Sequence, residues 1–185
     1  DAAQRLIREA IRHWPAGDPQ VCVPWNNLGN VLVEAAQPET AVDAYRAALA
    51  AQPAAAGTWT NLASLLRRLG RLEAAEDAAR RAIDAAATDP HAWFTLARVL
   101  IERGDISGGL EAHARGVSLA PRDLVGREEV LRSLAVLGHR EEAARLWGEW
   151  LEERPDDPVA RHHHAASIGD PPPRASDAYV AHVFD

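Results

Sequence analysis

The chain holds no methionine, no lysine and a single cysteine among its 185 residues, and only 5% of its side chains are aromatic. Without lysine there is no amine for a Schiff base and no P-loop lysine, so both chemistries are excluded for these residues. One thiol, Cys22, cannot form an intrachain disulfide or a multi-cysteine metal site; it fits a reducing compartment, and a cytoplasmic location is expected. No apolar run approaches the roughly 20 residues that span a bilayer. Acidic side chains number 27 against 20 basic ones, a formal charge of -7, which is the wrong sign for a polyanion. Neither a membrane nor a nucleic acid is an expected partner. A methionine-free chain opening on Asp1 reads as a middle piece of a longer protein.

Alanine is abundant, at 38 residues, and it recurs with a period. Trp25, Trp59 and Trp93 are 34 residues apart, and two further steps land on Arg127 and Arg161. Leu28, Leu62, Leu96 and Val130 follow three residues after their landmarks, and Leu32, Leu66, Leu100 and Leu134 four residues later, which draws one helical stripe per unit. A second stripe runs through Ala41, Tyr45 and Ala48, then Ala75, Ala79 and Ala82, then Gly109, His113 and Gly116, then Ala143, Trp147 and Trp150. Gln37-Pro38, Gly70, Gly104 and Gly138 are expected to stop the first helix of each pair; Pro53, Pro121 and Pro155, with Pro90 after Ala87, close the units. Small residues on the stripes let paired helices approach closely, with tryptophan and leucine filling the space beside them. Gly109 and Gly116 stand where other units have alanine, which weakens the local helix.

The fold expected is all-α, an α-α superhelix of stacked antiparallel helix pairs. Residues 1–20 hold the second helix of a partial preceding repeat, with an insertion of four residues around Asp18 to Val23. Four units follow at about 22–55, 56–89, 90–123 and 124–157, then a capping helix at 158–169, and a Pro-rich linker with a short amphipathic piece at 170–185.

Trp25-Asn26-Asn27-Leu28-Gly29, with Leu32, Ala41, Tyr45, Ala48 and Pro53, resembles the tetratricopeptide repeat pattern nearly place for place, and the units from Trp59 and Trp93 follow it. The resemblance implies a solenoid whose first helices line an inner groove that receives peptides. The polar residues expected on that face are Asn27, Asn30, Asn61, Ser64, Arg67, Arg68, Thr95, Arg98 and Arg132. Asn27 and Asn61 resemble the start of the asparagine ladder by which the repeats of the O-linked N-acetylglucosamine transferase hold a peptide backbone. The first helices carry seven arginines against four glutamates and the second helices seven against thirteen acids, so the inner side is biased positive and a polar or acidic peptide is the expected partner. The stretch from Asp157 to Asp185 resembles the junction joining such repeats to S-adenosylmethionine-dependent methyltransferase domains in bacterial proteins. That resemblance implies a recruiting arm whose chemistry lies beyond Asp185; a glycosyltransferase accessory array is the third reading.

No catalytic residue, cofactor or metal site is expected. His162, His163 and His164 are consecutive, so on a helix they point about 100° apart and cannot converge on one ion. Glu128-Glu129, Glu141-Glu142, Glu152-Glu153 and Asp156-Asp157 are adjacent in the same way and suit a solvated surface. The partial repeat at the start leaves an open edge suited to self-association. Light scattering checks this: a mass above that of one chain is expected, and a strict monomer rejects it.

Overall fold

Ten α-helices and no strand occur among the described residues, which in this computed structural model are 2–15 and 17–170, the side chain of Ala3 excepted. Helix α1 spans Ala2–Arg12, and a 3-10 turn follows at Pro19–Val21. The pairs that follow are α2 (Cys22–Glu34) with α3 (Pro38–Ala51), α4 (Ala56–Arg68) with α5 (Leu72–Ala85), α6 (Pro90–Glu102) with α7 (Ile106–Leu119), and α8 (Leu124–Val136) with α9 (Arg140–Glu153); α10 (Pro158–Ser167) comes last. Two compact units divide the chain, Asp1–Asp123 and Leu124–Asp185. The first holds α1 to α7 and the second α8 to α10. The amphipathic piece expected near Tyr179 lies outside the described residues.

Aspartates start several helices. Asp89 accepts from the His91 N–H at 3.0 Å ahead of Pro90, and Asp157 accepts from the Val159 and Ala160 N–H groups at 3.0 and 3.1 Å ahead of Pro158. The first helices all end alike. The N–H groups of Gln37, Arg71, Asp105, His139 and Asp170 donate to the carbonyls of Leu32, Leu66, Leu100, Leu134 and Ala165 at 2.8–2.9 Å, the longer bond of a Schellman motif. That motif needs a residue with positive φ, supplied by Gly70, Gly104, Gly138 and Gly169 at 72° to 89° and, in the first pair, by Ala36 at 54°. The stop expected at Gln37-Pro38 therefore falls one residue earlier, on Ala36. Pro38 instead opens α3, where its fixed φ suits the first helical position.

In the first unit the paired helices meet through residues with almost no side chain. Ala41, Ala48, Ala63, Ala75, Ala79, Ala82 and Ala97 have no exposed surface. Gly29 carries the ring of Tyr45, and a Cβ there would lie 2.4 Å from Tyr45 Cε1; Gly116 carries Phe94 in the same manner, at 2.6 Å from Cε1. The glycines that weaken α7 on paper are thus occupied by neighbours, and α7 runs unbroken. The landmark indoles are half-buried rather than central. Trp59 donates from Nε1 to the Pro53 carbonyl at 2.7 Å and Trp93 to that of Ala87 at 2.9 Å, tying each first helix to the turn six residues upstream. The exposed ion pair Arg71–Glu39, at 2.8 Å, joins two successive repeats at about 0–1 kcal/mol.

In the second unit the bulk comes from the second helix. Trp147 and Trp150 are buried with ring centres 5.2 Å apart. Arg127, where earlier units have tryptophan, lies 4.9 Å over the Trp150 ring and bonds to Glu153 Oε2 at 2.8 Å. Arg161 Nε donates to the Pro155 carbonyl at 2.7 Å, the contact that Trp59 and Trp93 make with their nitrogens.

Ala36 sets up a direct test of the turns. A Cβ in the left-handed region costs about 1–2 kcal/mol, and glycine's extra freedom in the unfolded chain returns about 0.5–1. Ala36→Gly is expected to raise the unfolding free energy by about 0.5–1 kcal/mol in urea titration, and a loss of stability contradicts the assignment.

Candidate functional site

The first helices of the first unit carry the polar residues picked out from the sequence. Asn26 and Asn30 lie one turn apart on α2, and Asn61 reaches them from α4. Its Nδ2 donates to Asn26 Oδ1 at 3.0 Å and to Asn30 Oδ1 at 3.4 Å. Tyr45, on α3 and buried, donates its phenol proton to Asn30 Oδ1 at 2.7 Å. Burial pushes that phenol up to about 12, although the nearby Arg68 guanidinium pulls the other way, so the hydroxyl keeps its proton throughout the ordinary pH range. Arg68 is exposed at the end of α4.

Of the residues expected on this face, Asn30 and Asn61 come together, and Arg68 is near enough for its charge to act on Tyr45. Asn27 is exposed and stands outside the hydrogen-bonded cluster, and Ser64 is half-buried on α4. Arg67 turns to Glu102 of α6 and forms a half-buried ion pair with it. Thr95 is only 8% exposed, and Arg98 is half-buried on α6. Arg132 belongs to the second unit, where it pairs with Glu128 one turn away at 3.3 Å. Sequence reasoning passed over two members of the cluster. Asn26 was visible as the i, i+4 partner of Asn30, a spacing that puts two side chains on one helix face; Tyr45 looked like any other residue of the packing stripe.

Three or more His, Cys, Asp or Glu side chains placed to hold a metal do not occur among the described residues. Nor is any described helix long and apolar enough to cross a membrane. In the second unit, the consecutive histidines do different jobs. His163 stacks on Trp147, with centroids 5.1 Å apart and planes at 17°, and His162 meets His163 edge-on at 5.4 Å. Burial, then the charges of Arg132 and His162, lower His163 to about 4.

Residues 26–90 match the family described as Tetratricopeptide repeat. Solved structures share the fold over most of the chain. One, described as "YrrB: a TPR protein with an unusual peptide-binding site", is 21% identical with a TM-score of 0.65, covering 88% of this chain and 82% of its own. A tetratricopeptide repeat protein from Parabacteroides merdae is 18% identical with a TM-score of 0.72, covering 90% and 66%. The first TPR of Spaghetti (RPAP3), bound to HSP90 peptide SRMEEVD, is 20% identical with a TM-score of 0.59, covering 65% and 95%. No curated protein matches the chain. The fold is therefore that of tetratricopeptide repeat proteins, an all-α stack of helix pairs. The stretch resembling a methyltransferase junction lies beyond the matched family residues and runs into 171–185, outside the described residues.

The depressed His163 fixes a sign. Its folded value lies below the ordinary 6.5, so the unfolded chain binds the extra proton between pH 6.5 and about 4; stability is full above 6.5 and falls as pH drops through that window. Because the ring is only half-buried, solvent screening reduces the loss to about 1 kcal/mol. His163→Phe keeps the stacked ring without the titration. Urea unfolding at pH 7.5 and 4.5 is expected to show a steeper decline for the parent than for the variant, and equal declines contradict the assignment.

Proposed function

We propose that the chain is a binding module that holds a polar or acidic peptide segment along α2, α4 and α6 of its first unit. The observation that carries this is the asparagine cluster bridging two repeats, with Asn26 and Asn30 on one helix and Asn61 on the next. An amide both donates and accepts, so such a cluster suits the repeating amides of any peptide. Arg68 beside the cluster, and Arg98 on α6, add positive charge for an acidic side chain. That the YrrB structure is described by its peptide-binding site, and the Spaghetti repeat with a peptide rich in acidic residues, supports the reading. The role is recruitment, and any catalytic activity of a longer parent protein belongs to other residues.

Display of a random dodecapeptide library against the chain, followed by calorimetry on a selected acidic peptide, tests the proposal. Arg68→Glu is expected to weaken binding about tenfold, about 1.4 kcal/mol, and to flatten its salt dependence. Unchanged affinity removes the electrostatic part; a library that yields no binder removes the peptide reading.

A further inference from the structure

The hydrogen bonds inside the asparagine cluster leave a definite remainder. An asparagine has one oxygen with two lone pairs and one nitrogen with two protons. Asn30 Oδ1 spends both lone pairs, one on Tyr45 and one on Asn61, and Asn61 Nδ2 spends both protons, one on Asn26 and one on Asn30. Asn30 is left with two N–H donors, Asn61 with its oxygen, and Asn26 with both protons and one lone pair. The reverse arrangement, all three amides turned over, satisfies the bonds among the asparagines equally well. It fails at Tyr45. The phenol would then accept from Asn30, and its own proton would give up the carbonyl that holds it at 2.7 Å, in a residue only 3% exposed to solvent, a worse outcome than losing an ordinary hydrogen bond. The phenol is itself immobile, because its ring rests on Gly29, where even a Cβ has no room.

We infer that Tyr45 is a positioning residue that fixes the polarity of the face: Asn26 and Asn30 meet a ligand as donors and Asn61 as an acceptor, so the face takes the main chain of an extended peptide. This deepens the peptide reading above and rests on it. A peptide unit offers a carbonyl for Asn30 and an N–H for Asn61, whereas a carboxylate offers acceptors only and leaves the Asn61 oxygen opposed. Acidic side chains are then held at the arginines, and the asparagines read the backbone. The residue acts through Asn30 and touches no ligand.

Two measurements separate this inference from the proposal beneath it. The first needs no ligand. Nitrogen-edited NMR of side-chain amide exchange is expected to show Asn61 protected and Asn30 exchanging as an exposed amide does. Tyr45→Phe retains the ring on Gly29, and in it the protection of Asn61 is expected to fall about fivefold while backbone spectra persist. Equal exchange of Asn30 and Asn61 in the parent, or unchanged protection in the variant, overturns the assignment. Asn30→Asp serves if Tyr45→Phe does not fold: it keeps both acceptor roles, removes the outward donor, and is expected to keep Asn61 protected. Loss of that protection overturns the assignment equally.

The second uses a selected dodecapeptide blocked at both ends and N-methylated at one backbone amide at a time. One position is expected to lose about tenfold in affinity with the parent and under twofold with Tyr45→Phe. A binding peptide indifferent to every N-methyl group overturns the main-chain inference and leaves the peptide proposal standing. A probe that does not bind removes the proposal and, with it, the ligand half of the inference, while the exchange data still decide the role of Tyr45.

Discussion

The contact on which the rest depends is the seating of Tyr45 on Gly29. Two antiparallel helices pack closely only where one presents a gap that the other can fill, and a Cβ on Gly29 would lie 2.4 Å from the ring. The same ring carries a hydroxyl to Asn30 at 2.7 Å. One side chain therefore belongs both to the core of the first helix pair and to the order of the polar face above it. The third repeat uses the same geometry with the donor and recipient exchanged: Phe94 comes from the first helix and Gly116 from the second. Phenylalanine has no hydroxyl, so there the packing passes nothing to the surface.

Around that contact, the stability of each pair is assembled from small pieces. Buried alanines contribute little area apiece, but they cost no side-chain entropy and allow the leucines of the facing stripe to close up. The turns are equally economical: a residue with positive φ and a Schellman bond end every first helix by the same means. Charge contributes less where a cross-repeat ion pair is exposed, as Arg71–Glu39 is. The second unit departs from this scheme by burying Trp147 and Trp150, and Arg127 lies over the latter with its charge held by Glu153.

The helix pairs were legible in the sequence because their causes are local. The recurrence of Leu and Ala at steps of three and four, with Gly70, Gly104 and Gly138 at a fixed place, carries the helices and most of the turns with it. Ala36 stands at that same place one period earlier, yet it was hidden because alanine carries no turn signal of its own. The fate of the polar residues depended on contacts between repeats, which a periodic pattern does not contain. Arg67 turns inward because Glu102 stands on the next helix of its kind. Thr95 sits at the same step of the repeat as Asn27 and Asn61 but is buried. Asn26 joins Asn61 because α2 and α4 lie side by side, and Tyr45 looked like packing alone until its hydroxyl could be seen.

A double-mutant cycle in unfolding free energy between Tyr45→Phe and Asn30→Ala measures the link between core and face most directly. The bond at 2.7 Å predicts a coupling of about 0.5–1.5 kcal/mol between the two sites. Additive effects, with no coupling beyond error, would contradict the claim that the packing of the first helix pair orders the asparagines.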